Sequence, residues 1–102
     1  MRTIYKYPID LMSDHNLITG YFLDILTAQM QEDQAVVWIE IDPEEYNKTI
    51  YGAIFGNKPA TIDIVVYGTG WPVQEKFKDL NYINTIQLKD GTVWHLFWKF
   101  VD

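Results

Sequence analysis

Apolar residues recur at every second position along most of this 102-residue chain. A period of two marks a strand with one face turned to a core. TIDIVVY (61–67) sets Ile62, Ile64 and Val66 against Asp63, Val65 and Tyr67. RTIYKYPI (2–9) sets Thr3, Tyr5 and Tyr7 against Ile4 and Lys6, and Pro8, which lacks a donor, ends that strand or puts it at a sheet edge. DILTAQMQ (24–31) and AVVWIEI (35–41) flank Glu32-Asp33-Gln34, which reads as a hairpin connection. YINTIQL (82–88) and TVWHLFWKF (92–100) flank Lys89-Asp90-Gly91. Asp-Gly between alternating runs signals a hairpin whose central positions both favour positive φ, so Gly91 is expected there.

One stretch supports two readings. Leu17, Ile18, Tyr21, Phe22, Ile25 and Leu26 recur at helical spacing. Gly20 sits inside the stretch, however, and Thr19, Tyr21 and Phe22 are poor helix formers. The preferred reading is a short strand near 16–19, a turn at Gly20 and a second strand from Asp24. Asp42-Pro43-Glu44-Glu45 combines an N-cap, a first-turn proline and an early glutamate, which predicts a single helical turn at 43–47. A second single turn is expected at 72–79. With 48% hydrophobic residues the chain can bury a core. The expected fold is all-β or mainly β: one domain over 1–102, a small antiparallel sandwich or barrel of about six to seven strands, with an inserted connection at about 43–60.

Charge and cysteine content exclude whole classes of function. Eight basic and 14 acidic residues give a net charge of −6, opposite to the basic field of a nucleic-acid binder, so no direct nucleic-acid binding is expected. The chain has no cysteine, which excludes disulfides, thiolate zinc sites and a cysteine nucleophile. MRTIYKYPID at the start has no apolar run of the signal-peptide type, and no window has the roughly 20 apolar residues of a membrane span. The expected location is the cytoplasm, that of the host cell if the chain is phage-encoded, with no membrane partner.

IYKYP (4–8), VWIEIDPE (37–44), YGTGWP (67–72) and YINTIQL…VWHLF (82–97) occur in this order. The pattern resembles an uncharacterised family of short proteins of bacteriophages and bacteria, over most of the chain. The resemblance implies a compact β-rich domain of phage or prophage origin and no particular activity. Between Glu45 and Thr61 the chain carries residues beyond the family pattern.

Candidate chemistry is sparse. His95 lies in the last strand beside Val93, Phe97 and Lys99, where a general base or metal ligand competes with a half-buried histidine hydrogen-bonded across the sheet, the favoured reading. His15 follows Asp14, but neighbours on a strand point to opposite faces, so no dyad follows from their adjacency. Glu40, Asp42, Glu44 and Glu45 match no EF-hand spacing and read as a solvated acidic rim with a helix cap. Gly68-Thr69-Gly70-Trp71-Pro72 offers either converging backbone N–H groups for an anion or a positive-φ turn braced by Trp71 on Pro72. Gly68, Thr69, Gly70, Trp71 and His95 are therefore the ligand-binding candidates. Tyr46, Tyr51, Ile54 and Phe55, in the glycine-interrupted and locally basic segment 46–58, are the partner-binding candidates. No catalytic residue, metal or cofactor is expected.

The last strand carries large apolar groups on both faces. It is either a central strand buried on both sides or covered by another subunit, so self-association is expected. The leading functional expectation is a small non-catalytic binding protein of phage type that occupies, and inhibits, a host protein such as a defence factor. The alternative is a small-molecule or nucleotide-binding β domain, and an enzyme ranks last.

Overall fold

A computed structural model describes residues 3–41, 60–72 and 79–101, with the main chain alone at Leu23. The connection at 43–60, apart from Ala60, lies outside the described residues. So do the helical turn at 43–47, most of the turn at 72–79, and Tyr46, Tyr51, Ile54 and Phe55.

Among the described residues seven strands form two antiparallel sheets, as the alternation predicts. They are β1 (Thr3–Ile9), β2 (His15–Gly20), β3 (Phe22–Gln31), β4 (Gln34–Ile41), β5 (Ala60–Gly68), β6 (Asn81–Gln87) and β7 (Val93–Phe100). Sheet A has the order β1-β4-β3, and sheet B the order β2-β5-β7-β6. Their inner faces meet in one core. Ile9, Phe22, Ala28, Val37 and Ile39 come from sheet A, and Ile62, Ile64, Val66, Ile86 and Leu96 from sheet B. These are largely the apolar halves of the period-two patterns, which is why two sheets stacked face to face bury them together.

The stretch with two readings resolves as two strands rather than a helix, with wider bounds than the sequence suggests: β2 runs over 15–20 and takes in Gly20, which pairs with Ala60 instead of making a turn, and β3 begins at Phe22 with Tyr21 alone between them. The helical spacing has a physical source. The β3–β4 register slips between Phe22 and Asp24 and again between Ile25 and Thr27. Each slip inserts one residue, so the core-facing positions step from Phe22 to Ile25 to Ala28. Two β-bulges thereby turn a period of two into steps of three, which imitate a helix. Leu17 and Ile18 belong to the other sheet altogether.

The β3–β4 turn is one residue shorter than the sequence suggests, and the β6–β7 turn keeps its three residues but not both of the expected dihedrals. Gln34 pairs with Gln31, so the β3–β4 turn is Glu32-Asp33 alone, with Glu32 at φ 56°. At the β6–β7 turn Gly91 has φ +88°, as expected. Asp90 does not share the positive φ that a two-residue turn demands. Instead Gly91 N donates to Leu88 O at 3.0 Å and Leu88 N to Thr92 O at 2.9 Å. This is the three-residue hairpin, in which only the glycine takes the left-handed conformation. Asp90 Oδ1 accepts from Thr92 N and Thr92 Oγ1 at 2.9 and 2.7 Å.

Two asparagines close the gaps between the sheets. Asn84, placed on the inner face by a bulge in β6, accepts from Ala28 N at 2.8 Å and donates Nδ2 to Ala28 O at 2.6 Å. Asn16 accepts from Asp10 N at 2.9 Å and donates Nδ2 to Asp10 O at 3.1 Å. In each case a side-chain amide stands in for a neighbouring strand, meeting one N–H and one C=O that the ladders leave unpaired.

Candidate functional site

The GTGW turn and β7 meet, but the ligand candidates divide between the two sides of sheet B. Trp71 N donates to Gly68 O at 3.0 Å, which closes a turn with Gly70 at φ +87°. Thr69 N donates to Val93 O at 3.2 Å. The N–H groups of Thr69 and Trp71 are thus engaged inside the fold rather than converging on an anion. The Trp71 ring lies over Gly68 so closely that an added Cβ would sit 2.8 Å from Cε2, so this glycine serves ring packing. Trp71 meets Trp94 edge to face, with centroids 5.2 Å apart. Trp94 packs against the core. Thr69 and His95 face the other way. His95 Nε2 bonds Thr69 Oγ1 at 2.8 Å, and Nδ1 bonds Thr85 Oγ1 at 3.0 Å. Both ring nitrogens have hydroxyl partners, one of them across the sheet on β6.

A histidine–carboxylate pair does exist, with a partner the sequence reading did not choose. His15 Nδ1 lies 2.5 Å from Asp63 Oδ2, and Asn16 N donates to Asp63 Oδ1 at 3.0 Å. Asp63 is 4% exposed, whereas the His15 side chain is half exposed. The sequence signal was Asp63 itself. A carboxylate inside the most apolar strand must find donors to be buried, and antiparallel pairing of β2 with β5 supplies them. Among the described residues no group of three or more His, Asp or Glu side chains comes close enough to hold a metal ion. Glu40 lies on the outer face of sheet A opposite Asp24, and its three sequence neighbours in the acidic rim fall outside the described residues.

A family model for a domain of unknown function matches residues 1–101. The chain belongs to the DUF7352 family. No curated protein and no solved structure matches this DUF7352 chain, so its site must be read from its own surfaces.

Those surfaces differ sharply between the two sheets. The outer face of sheet A mixes Ile4, Lys6, Trp38 and Val36 with Glu40, Asp24 and Gln29. The outer face of sheet B carries a row of aromatics: Tyr67 lies 6.0 Å from Phe97 edge to face, and Phe97 lies 5.5 Å from Tyr82. Tyr82 is 59% exposed and Leu17, on the opposite side of the same face, 66%. Phe97 and Tyr67 are half-buried, and Val65, opposite Phe97 on β5, is fully buried. The Tyr82 hydroxyl bonds Thr85 Oγ1 at 2.6 Å, so Tyr82, Thr85, His95 and Thr69 form one hydrogen-bonded chain along the row. β7 lies inside sheet B with none of its residues fully exposed. Its apolar groups divide between the core, which takes Trp94, Leu96, Trp98 and Phe100, and the half-buried outer face, which takes Val93 and Phe97.

A cleft of about 520 Å³ opens at one end of the sandwich, lined by Leu11, Met12, Met30, Leu88 and Trp94 with polar groups from Asn16 and Gln34. Its size suits a small ligand. Its amides, however, already serve the backbone: Asn16 on Asp10, and Gln34 Nε2 on Ile9 O and Ala35 O, both at 2.9 Å.

Proposed function

We propose that the chain is a small non-catalytic binding domain of phage type, which occupies a host protein stoichiometrically through the outer face of sheet B. The observation that carries this reading is the Tyr67–Phe97–Tyr82 row, with Tyr82 59% exposed at its end. Aromatic groups held rigid by ring contacts and hydrogen bonds are the usual anchors of protein interfaces. A net charge of −6 favours a basic surface on the partner and speeds the encounter. A basic groove that otherwise holds nucleic acid is such a surface, and the resemblance to phage proteins supports a defence factor as its owner. The test is capture from host lysate on immobilised protein, with Tyr82→Ala in parallel. One partner at equal stoichiometry is expected, with affinity falling at least tenfold in the variant, as for an interface anchor worth over about 1.4 kcal/mol. Absence of any partner, or capture indifferent to Tyr82, overturns it.

A second reading, a small-molecule or nucleotide-binding domain, is favoured by the cleft beside Trp94. A thermal-shift series with nucleotides tests it, and a flat series removes it.

A further inference from the structure

Four strands lie at sheet edges, and three are protected. β3 and β6 face each other across the Asn84 amide. β1 carries Pro8 and Lys6, the residues that blunt an edge. β2 has none of these devices. Its sequence, HNLITG, contains no Asp, Glu, Lys, Arg or Pro, and it pairs with β5 without a bulge.

The hydrogen-bond phase shows what this edge offers. Val66 N donates to Asp14 O at 3.0 Å, and the β2–β5 register continues from that pair. Alternation then turns the N–H and C=O groups of Asn16, Ile18 and Gly20 toward β5, and those of His15, Leu17 and Thr19 outward. The 2.7 Å contact between the Thr19 and Thr61 hydroxyls fits a pair of the closely spaced, non-hydrogen-bonded kind. His15 O accepts from Ser13 Oγ at 3.1 Å. Among the described residues nothing meets the outward groups of Leu17 and Thr19.

We infer that β2 is a self-pairing edge, and that two copies of the chain join antiparallel through it about a two-fold axis at Leu17. This does not rest on the binding role proposed above. With Leu17 opposite Leu17 of the second copy, His15 falls opposite Thr19. Every outward-turned residue of one copy then meets an outward-turned residue of the other. Centring the axis on Ile18 matches only Leu17 with Thr19 and leaves His15 unpaired. The Leu17 register also sets the two exposed leucines side by side on one face. A second copy fits as the occupant because β2 has no Asp, Glu, Lys or Arg, so self-pairing in this register sets no like charges opposite one another and the acids behind the net charge of −6 lie elsewhere on the chain. The product is one eight-stranded sheet whose outer face displays both aromatic rows. Three hydrogen-bonded pairs make an interface well below the roughly 1,600 Å² of stable complexes, so the association is weak and concentration-dependent.

Sedimentation of the full chain at about 0.5 mM, where even a millimolar Kd populates the dimer, is the first measurement. The mass is expected to rise above 12.0 kDa toward twice that value. Leu17→Lys sets like charges directly opposite at the axis. It is expected to remain at 12.0 kDa with an unchanged melting point, because Leu17 is 66% exposed. The absence of native cysteine allows a register test. Leu17→Cys should form disulfide dimers on mild oxidation, since hydrogen-bonded antiparallel partners hold Cα atoms about 5.5 Å apart, within disulfide reach. Thr19→Cys alone should not, because it lies opposite position 15. A wild-type mass of 12.0 kDa throughout overturns the proposal. So does association that survives Leu17→Lys, or cross-linking by Thr19→Cys that matches Leu17→Cys.

Discussion

Replacing Asn84 by Ala tests the seam between β3 and β6. Asn84 meets both polar groups of the Ala28 peptide, at 2.8 and 2.6 Å, and Ala28 is 0% exposed. In the native fold Ala28 has no solvent contact of its own. The substitution therefore leaves a donor and an acceptor without partners, each costing about 1–3 kcal/mol. The central expectation is a loss of about 4 kcal/mol, near the lower end of the total stability of a domain this size. Urea unfolding reads this directly as a fall in midpoint at constant slope. Hydrogen exchange at the Ala28 amide supplies a local measure, since its protection should fall further than that of Val37, which pairs with it on β4. Asn84→Asp separates the two bonds. A carboxylate still accepts from Ala28 N but repels Ala28 O, so it should be at least as damaging as alanine. A loss below about 0.5 kcal/mol in Asn84→Ala would refute the reasoning, because it would place the Ala28 groups in contact with solvent or another partner.

Gly91→Val should destabilise by about 1–3 kcal/mol in thermal melts, because a β-branched residue is strained at φ +88°; an unchanged midpoint contradicts the turn geometry. Gly68→Ala drives a Cβ to 2.8 Å from Trp71 Cε2, so Trp71 should leave Trp94, with a shift in tryptophan emission and a cost of about 1–3 kcal/mol. Hydrogen bonds from the Thr92 hydroxyl and amide hold the Asp90 carboxyl below its ordinary value. A lowered folded value means this turn adds stability above the unfolded Asp range and loses it as pH falls through the folded value. A carboxyl titration by NMR should therefore show Asp90 ionising below an ordinary Asp, and Thr92→Val should move it upward.

Alternation revealed the strands, their pairing into hairpins and most of the core, because one residue in two faces inward whatever the topology. It was silent on which sheet a strand joins. β2 and β3 are neighbours in sequence yet sit in different sheets, and nothing in the residues around Tyr21 states this. Bulges were misleading for a definite reason, since the extra residues at 23 and 26 change the period without changing the face. At the candidate sites the sequence identified the bonded state of His95 because its strand was clear. The His15–Asp63 contact joins residues 48 apart in the chain and follows only once β2 is known to pair with β5. The aromatic row was visible as composition, but its members come from β5, β6 and β7, and only their register aligns them.

The pairing of β2 with β5 also orders events during synthesis. The ladders of β1, β3 and β4 can pair as soon as the first 41 residues have emerged, because they use no later strand, while the inner face of sheet A and the Ala28 peptide wait for sheet B. β2 emerges among them and finds no partner until Ala60–Gly68 follows. At ribosomal speeds of about 5–20 residues per second, that interval lasts on the order of several seconds. Throughout it both edges of β2 are open, with Leu17 and Ile18 uncovered. On a polysome, where nascent copies lie close together, this strand is the first place one chain would meet another.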